Sequence, residues 1–231
     1  MIGEIAPYSL IGDNIVMSLF VLDLLGMAYV FLMNGNSILE RAKAMFYYTK
    51  QSQPFNERTH IARICNVLLY WQTLFFCSIT AFGYTDCSGC SFLGGTPYLL
   101  LIAYILLFAT FFLVKSLLYD FCNIVLFSSK AVKEWRQSYS FTIKMLGFLL
   151  FPAVLGLIFV KGLLHTNYII SILFATLVYL FVIFNRSIRI IFKEKCNYLD
   201  VFLYLCALEF LPLAILWKLI HVLNSYLIIK F

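Results

Sequence analysis

The chain has 231 residues, of which 63% are apolar, 18% aromatic and 12% charged, and its mean hydropathy is +0.92. Soluble domains average about 45 to 50% apolar and about 25% charged residues, and a fold of this length has too little interior for the excess, so a soluble domain, a disordered chain and a secreted disulfide scaffold are all excluded. Seventeen basic against eleven acidic residues give +6, which would suit nucleic acid on a soluble surface, but the charges fall between apolar runs, so the expected partner is the bilayer and not nucleic acid.

Crossing roughly 30 Å of hydrocarbon takes about 20 apolar residues, and six runs qualify: 15–33, 61–83, 98–127, 141–160, 168–184 and 198–229. Before the first run, Glu4 stands where a signal peptide would carry basic residues, and no small-residue cleavage site follows. The first run is therefore expected to remain as a helix. Next, over Asn36 to Lys50, Ile38, Leu39, Ala42, Met45 and Phe46 recur at helical spacing behind a Ser37–Glu40 capping box, which predicts an amphipathic helix on the inner leaflet. The second connection carries Cys87-Ser-Gly-Cys90, a candidate disulfide or thiol-exchange pair. Within the third run Lys115 and Asp120 are expected at the inner interface, and Ser129 to Tyr139, with Lys130, Lys133, Trp135 and Arg136, predicts a second, smaller amphipathic helix. The sixth run holds Glu209, then Pro212, which removes a backbone donor and predicts a bend, then Lys218 and His221 near the outer interface.

Lys and Arg accumulate in loops that stay cytoplasmic. Arg41, Lys43, Lys50, Arg58 and Arg63 flank the first connection, Lys130, Lys133, Arg136 and Lys144 the third, and Arg186, Arg189, Lys193 and Lys195 the fifth. The other side shows only Lys161 and Lys230. Both termini are thus expected outside, in the periplasm of a Gram-negative cell. Each inner cation adds about 1 kcal/mol of attraction to anionic headgroups, so the basic surface is expected to hold anionic inner-leaflet lipid and to offer a docking face for protein partners.

Counted from opposite faces, Asp23, Gln72 and Glu209 fall near one depth. With no cation expected there, an acid would hold a proton or share a hydrogen bond. The three are read as a midplane polar cluster, with two outcomes: helix-joining hydrogen bonds of roughly 0.6 to 2 kcal/mol each, or a proton- or substrate-accepting site. Metalloprotease, serine-hydrolase and phosphate-loop motifs are all missing, and His60, His165 and His221 lie on different connections. No cofactor, metal or catalytic residue is expected.

The stretch running from Arg189 through Lys195, Tyr198, Leu199 and Asp200 to Tyr204-Leu205-Cys206-Ala207-Leu208-Glu209-Phe210-Leu211-Pro212 resembles a domain-of-unknown-function family of multi-pass inner-membrane proteins from the Bacteroidota, whose members end in a Tyr-Leu-Cys-x-Leu-Glu-x-x-Pro-like helix. The resemblance implies a Gram-negative inner membrane and points to Glu209 and Pro212 as a signature pair. It brings no activity with it.

The expected architecture is an all-α bundle of six transmembrane helices with inner-leaflet amphipathic helices. Short loops and the lack of a reaction motif favour a non-enzymatic subunit or assembly factor of a cell-envelope complex, in protein secretion or envelope biogenesis. A small transporter or lipid-handling protein using the midplane acids is the first alternative. A periplasm-facing thiol redox protein using Cys87 and Cys90 is the second.

Overall fold

A long apolar segment in hydrocarbon must satisfy its own backbone N–H and C=O groups, and the α-helix does so within one segment. The computed structural model describes residues 14–46, 60–87, 91–92, 97–126, 129–159, 165–192 and 206–229, and almost all of them are helical. The order is α1 (Asn14–Phe46), α2 (His60–Cys87), β1 (Ser91–Phe92), α3 (Pro97–Leu126), α4 (Ser129–Phe159), α5 (His165–Phe192), a π-helical turn (Cys206–Phe210), α6 (Leu211–Leu227) and β2 (Ile228–Ile229).

Five stretches are long and apolar enough to cross a bilayer: Asn14–Met33, Arg63–Gly83, Leu100–Cys122, Trp135–Ile158 and Ala207–Ser225. The apolar part of α5, Ile172–Asn185, is shorter. Large apolar side chains cover the outside, among them Leu32 at 86% exposure, Phe121, Phe174 and Phe181, as a lipid-facing surface requires and a water-facing one does not tolerate. The chain is a membrane-spanning helical protein.

Two expected boundaries are corrected. The amphipathic stretch after Met33 is not a separate helix, because α1 continues through Gly35 to Phe46. An amphipathic pattern has the same 3.6-residue period as the span before it, and one Gly costs only about 1 kcal/mol, too little to force a break. Likewise, Ser129 to Tyr139 forms the opening turns of α4.

Pairwise contacts fix how the helices run. Phe20 and Phe76 have ring centroids 6.4 Å apart, and a Cβ on Gly26 would lie 3.8 Å from Leu68 Cδ2, so α1 and α2 are antiparallel. In contrast, α2 and α4 are parallel: Lys144 Nζ donates to Asn66 Oδ1 at 2.8 Å, the Thr73 hydroxyl approaches the Ile143 carbonyl at 3.2 Å, and Phe76 meets Phe151 at 5.9 Å. Their closest approach is at Gly147, where a Cβ would come within 2.8 Å of Thr73 Oγ1 and 3.3 Å of Thr73 Cα. The α2 span is 67% buried against 22% for the α1 and α6 spans, so α2 is the centre of the bundle. At the other rim, α6 lies antiparallel along α3, with Tyr104 donating to Asn224 Oδ1. Just beyond, β1 and β2 pair antiparallel, Ser91 with Ile229 and Phe92 with Ile228.

Candidate functional site

Pro212 has no N–H to offer the carbonyl four residues back, Leu208, and its ring crowds that carbonyl. The helix accommodates this with the π turn over Cys206–Phe210, directly upstream. The expected bend is thus met by a local change of helical winding, a device often found at functional sites. Within this turn Leu208 and Glu209 are buried while Phe210 is exposed, so the turn aims Glu209 into the bundle.

Glu209 meets a cation there. Lys115, from α3, donates to Glu209 Oε2 at 2.6 Å, with exposures of 1% and 2% for the two side chains. Tyr119, one turn further along α3, donates to Glu209 Oε1. Lys115 also donates to the Tyr179 hydroxyl of α5 at 3.2 Å, and its ammonium lies 5.3 Å from the Tyr179 ring centroid and 5.8 Å from that of Phe111. Isolated buried charges cost several kcal/mol each, and attraction repays this only if the remaining hydrogen-bonding positions are met. Here both carboxylate oxygens are occupied, and the ammonium has a carboxylate, a hydroxyl and two ring faces. From α4, Tyr139 and Trp135 pack on the Tyr119 ring at 4.8 and 5.3 Å. The buried Tyr139 hydroxyl is an electrostatic neighbour of Glu209 and lies beside the Tyr179 hydroxyl. At the edge of this cluster, Arg136 and Asp120 pair at 3.1 Å with exposures of 69% and 21%, a contact of at most about 1 kcal/mol.

The cation at this level overturns the expectation that Glu209 has none. Counting residues from the ends of apolar runs gives depth to within a turn or two, and that error separated two groups that touch. The usable signal was Phe111, Lys115 and Tyr119 at four-residue spacing, which puts the Lys and the Tyr on one face of α3.

Asp23 and Gln72 form a second level. The Phe20–Phe76 and Gly26–Leu68 contacts bracket them on antiparallel helices, which brings the two residues opposite one another. Both are buried, at 6% and 3% exposure, and Asp23 Oδ2 and Gln72 Nε2 have no hydrogen-bond partner. Tyr70 meets Phe112 edge to face at 6.3 Å, so Lys115 lies roughly five residues, about 7 Å, along the axes from the level of Gln72. The structure therefore brings Asp23 and Gln72 together and joins Glu209 to Lys115 instead of to them.

Among the described residues no group of three or more His, Cys, Asp or Glu side chains could hold a metal ion. Cys87 ends α2, but its side chain and Cys90 lie outside the described residues. So do Lys193, Lys195 and the side chains of Arg41, Lys43, Lys130, Lys133, Arg186 and Arg189.

Residues 16–220 match the family described as a domain of unknown function, DUF4271, and the chain belongs to that family. No curated protein and no solved structure matches it.

Proposed function

We propose that this DUF4271 chain is a non-enzymatic integral subunit or assembly factor of a cell-envelope complex in a bacterial inner membrane, that of a member of the Bacteroidota, serving protein secretion or envelope biogenesis. The observation that carries the reading is the closure of the Lys115–Glu209 pair. Its charges are engaged by α3, α5 and the turn before α6, so they clamp helices together and are not offered to a substrate. A clamped bundle with short connections and basic cytoplasmic edges suits a part that holds other proteins in place, with anionic inner-leaflet lipid around Arg41, Lys43, Lys130, Lys133, Arg136, Arg186, Arg189, Lys193 and Lys195. In this reading the chain crosses six times with both termini periplasmic; the β1–β2 pairing supports an even number of crossings from α3 to α6, since it sets the second connection and the C-terminal strand on one side. Capture of the tagged chain from native membranes in mild detergent tests the reading. A stoichiometric membrane-protein partner is expected; a functional chain that purifies alone overturns it.

A small transporter is the second reading, favoured by the two unpartnered polar atoms at Asp23 and Gln72. Solute flux into vesicles containing only this protein would establish it.

A further inference from the structure

Asp23 and Gln72 are not part of the clamp, and their geometry has a chemistry of its own. An acid this deep in hydrocarbon is tolerated beside a cation or with a proton on it. The buried cations of the neighbouring helices are engaged elsewhere: Lys115 with Glu209, and Lys144 with Asn66, six residues or about 9 Å below Gln72 along α2. Within about two turns of Asp23 on α1 and of Gln72 on α2 the other titratable groups are Tyr29, Cys65, Tyr70 and Cys77, none of them a cation, and the cations of these helices, Arg41, Lys43 and Arg63, lie nine or more residues further along. What faces Asp23 across the α1–α2 seam is a carboxamide, which offers one acceptor oxygen and two donor hydrogens.

We propose that Asp23 and Gln72 form an intramembrane proton-binding site between α1 and α2. A carboxylate only accepts, so it can use the Gln72 N–H but leaves the Gln72 carbonyl oxygen without a donor. One proton taken up from water at the membrane surface gives the carboxyl an O–H, and the two side chains then match reciprocally, O–H to carbonyl and N–H to carbonyl. Uptake of the proton thus favours pairing of the two side chains across the α1–α2 seam, where Asp23 Oδ2 and Gln72 Nε2 are both unpartnered, and its release disfavours it. The site holds one exchangeable proton and joins or frees α1, which with α6 carries the least buried of the five long spans. It stands on the α1–α2 geometry and is independent of the subunit reading.

The test uses the full chain in vesicles of phosphatidylethanolamine and phosphatidylglycerol, treated with a fluorescent carbodiimide. This reagent adds to a protonated carboxyl in an apolar setting to give an O-acylisourea that rearranges to a stable N-acylurea, and peptide mass mapping locates the adduct. Labelling is expected on Asp23 and not on Glu209, falling at least about tenfold from acid to alkaline pH, and indifferent to sodium or potassium. Replacement Gln72→Leu should move the labelling midpoint by about one pH unit, and Asp23→Asn should remove the adduct while abundance is kept. Failure of folded wild-type protein to label at Asp23, when the same peptide labels after denaturation, overturns the proposal. So does protection by sodium, which would make this a metal-cation site, or a midpoint unmoved by Gln72→Leu, which would leave Gln72 with no role beyond filling space.

Discussion

Glu209 and Lys115 illustrate how little a single buried charge can be judged without its partner. Replacing Glu209 with Leu removes more than a hydrogen bond: it strands an ammonium among Tyr179, Phe111 and Tyr119, and breaking a buried pair this way typically costs about 3 to 5 kcal/mol. The expected result is a sharp loss of membrane abundance and of thermal midpoint in detergent. Glu209→Gln keeps the shape but not the charge, so it too should destabilise, by less. Adding Lys115→Met to Glu209→Leu removes both charges and should recover most of the loss; a double variant whose loss equals the sum of the two single losses would show that the pair is not energetically coupled. Tyr119→Phe deletes one donor to the carboxylate and should cost about 1.5 to 3 kcal/mol, read from the same melting curve. These side chains escaped sequence reasoning because the ion pair joins residues 94 positions apart. Helix rotation and a π turn decide whether such residues meet, and neither leaves a mark in local hydropathy.

At the scale of helices, the packing of α2 on α4 is set by one missing side chain. Gly147→Ala puts a Cβ 2.8 Å from Thr73 Oγ1 and 3.3 Å from its Cα, and only the hydroxyl could swing aside. The backbone contact obliges the central helix to move, so a loss of about 1 to 3 kcal/mol is expected, partly recovered by Thr73→Ala. Gly26 is the internal control. Its nearest neighbour, Leu68 Cδ2, lies at an ordinary 3.8 Å, so Gly26→Ala should be neutral or stabilising by up to about 1 kcal/mol through helix propensity. Detergent melting of the two variants side by side checks the pair, and equal losses would refute the close-approach argument. Five of the six expected spans were legible because a bilayer demands a long apolar run and the chain supplies them. Where α1 and α4 end was not, because an amphipathic stretch and a span share one helical period, and only packing says whether the chain turns between them.

For the whole molecule the question is which way it crosses the membrane. The pairing of β1 with β2 brings the second connection and the C-terminus to one end of the bundle, and the antiparallel run of α3 and α6 agrees. The pairing constrains α5 as well. Its apolar part, Ile172–Asn185, is shorter than the five long spans, and the proposed six crossings include it because otherwise β2 would emerge on the face opposite β1. A short span can cross when the bilayer thins locally or flanking residues reach outward, each at a modest cost. On the proposed reading the basic residues of the first, third and fifth connections mark the cytoplasmic face. A reporter active only in the cytoplasm should be silent when fused after Phe231 or inserted beside Ser91, and active when inserted near Gln53. Opposite signals after Phe231 and at Ser91 would break the link between strand pairing and an even number of crossings. Agreement between those two sites with the whole pattern inverted would instead keep the six crossings and overturn the charge rule as applied to this chain, moving Cys87 and Cys90 into a reducing compartment where a disulfide does not persist.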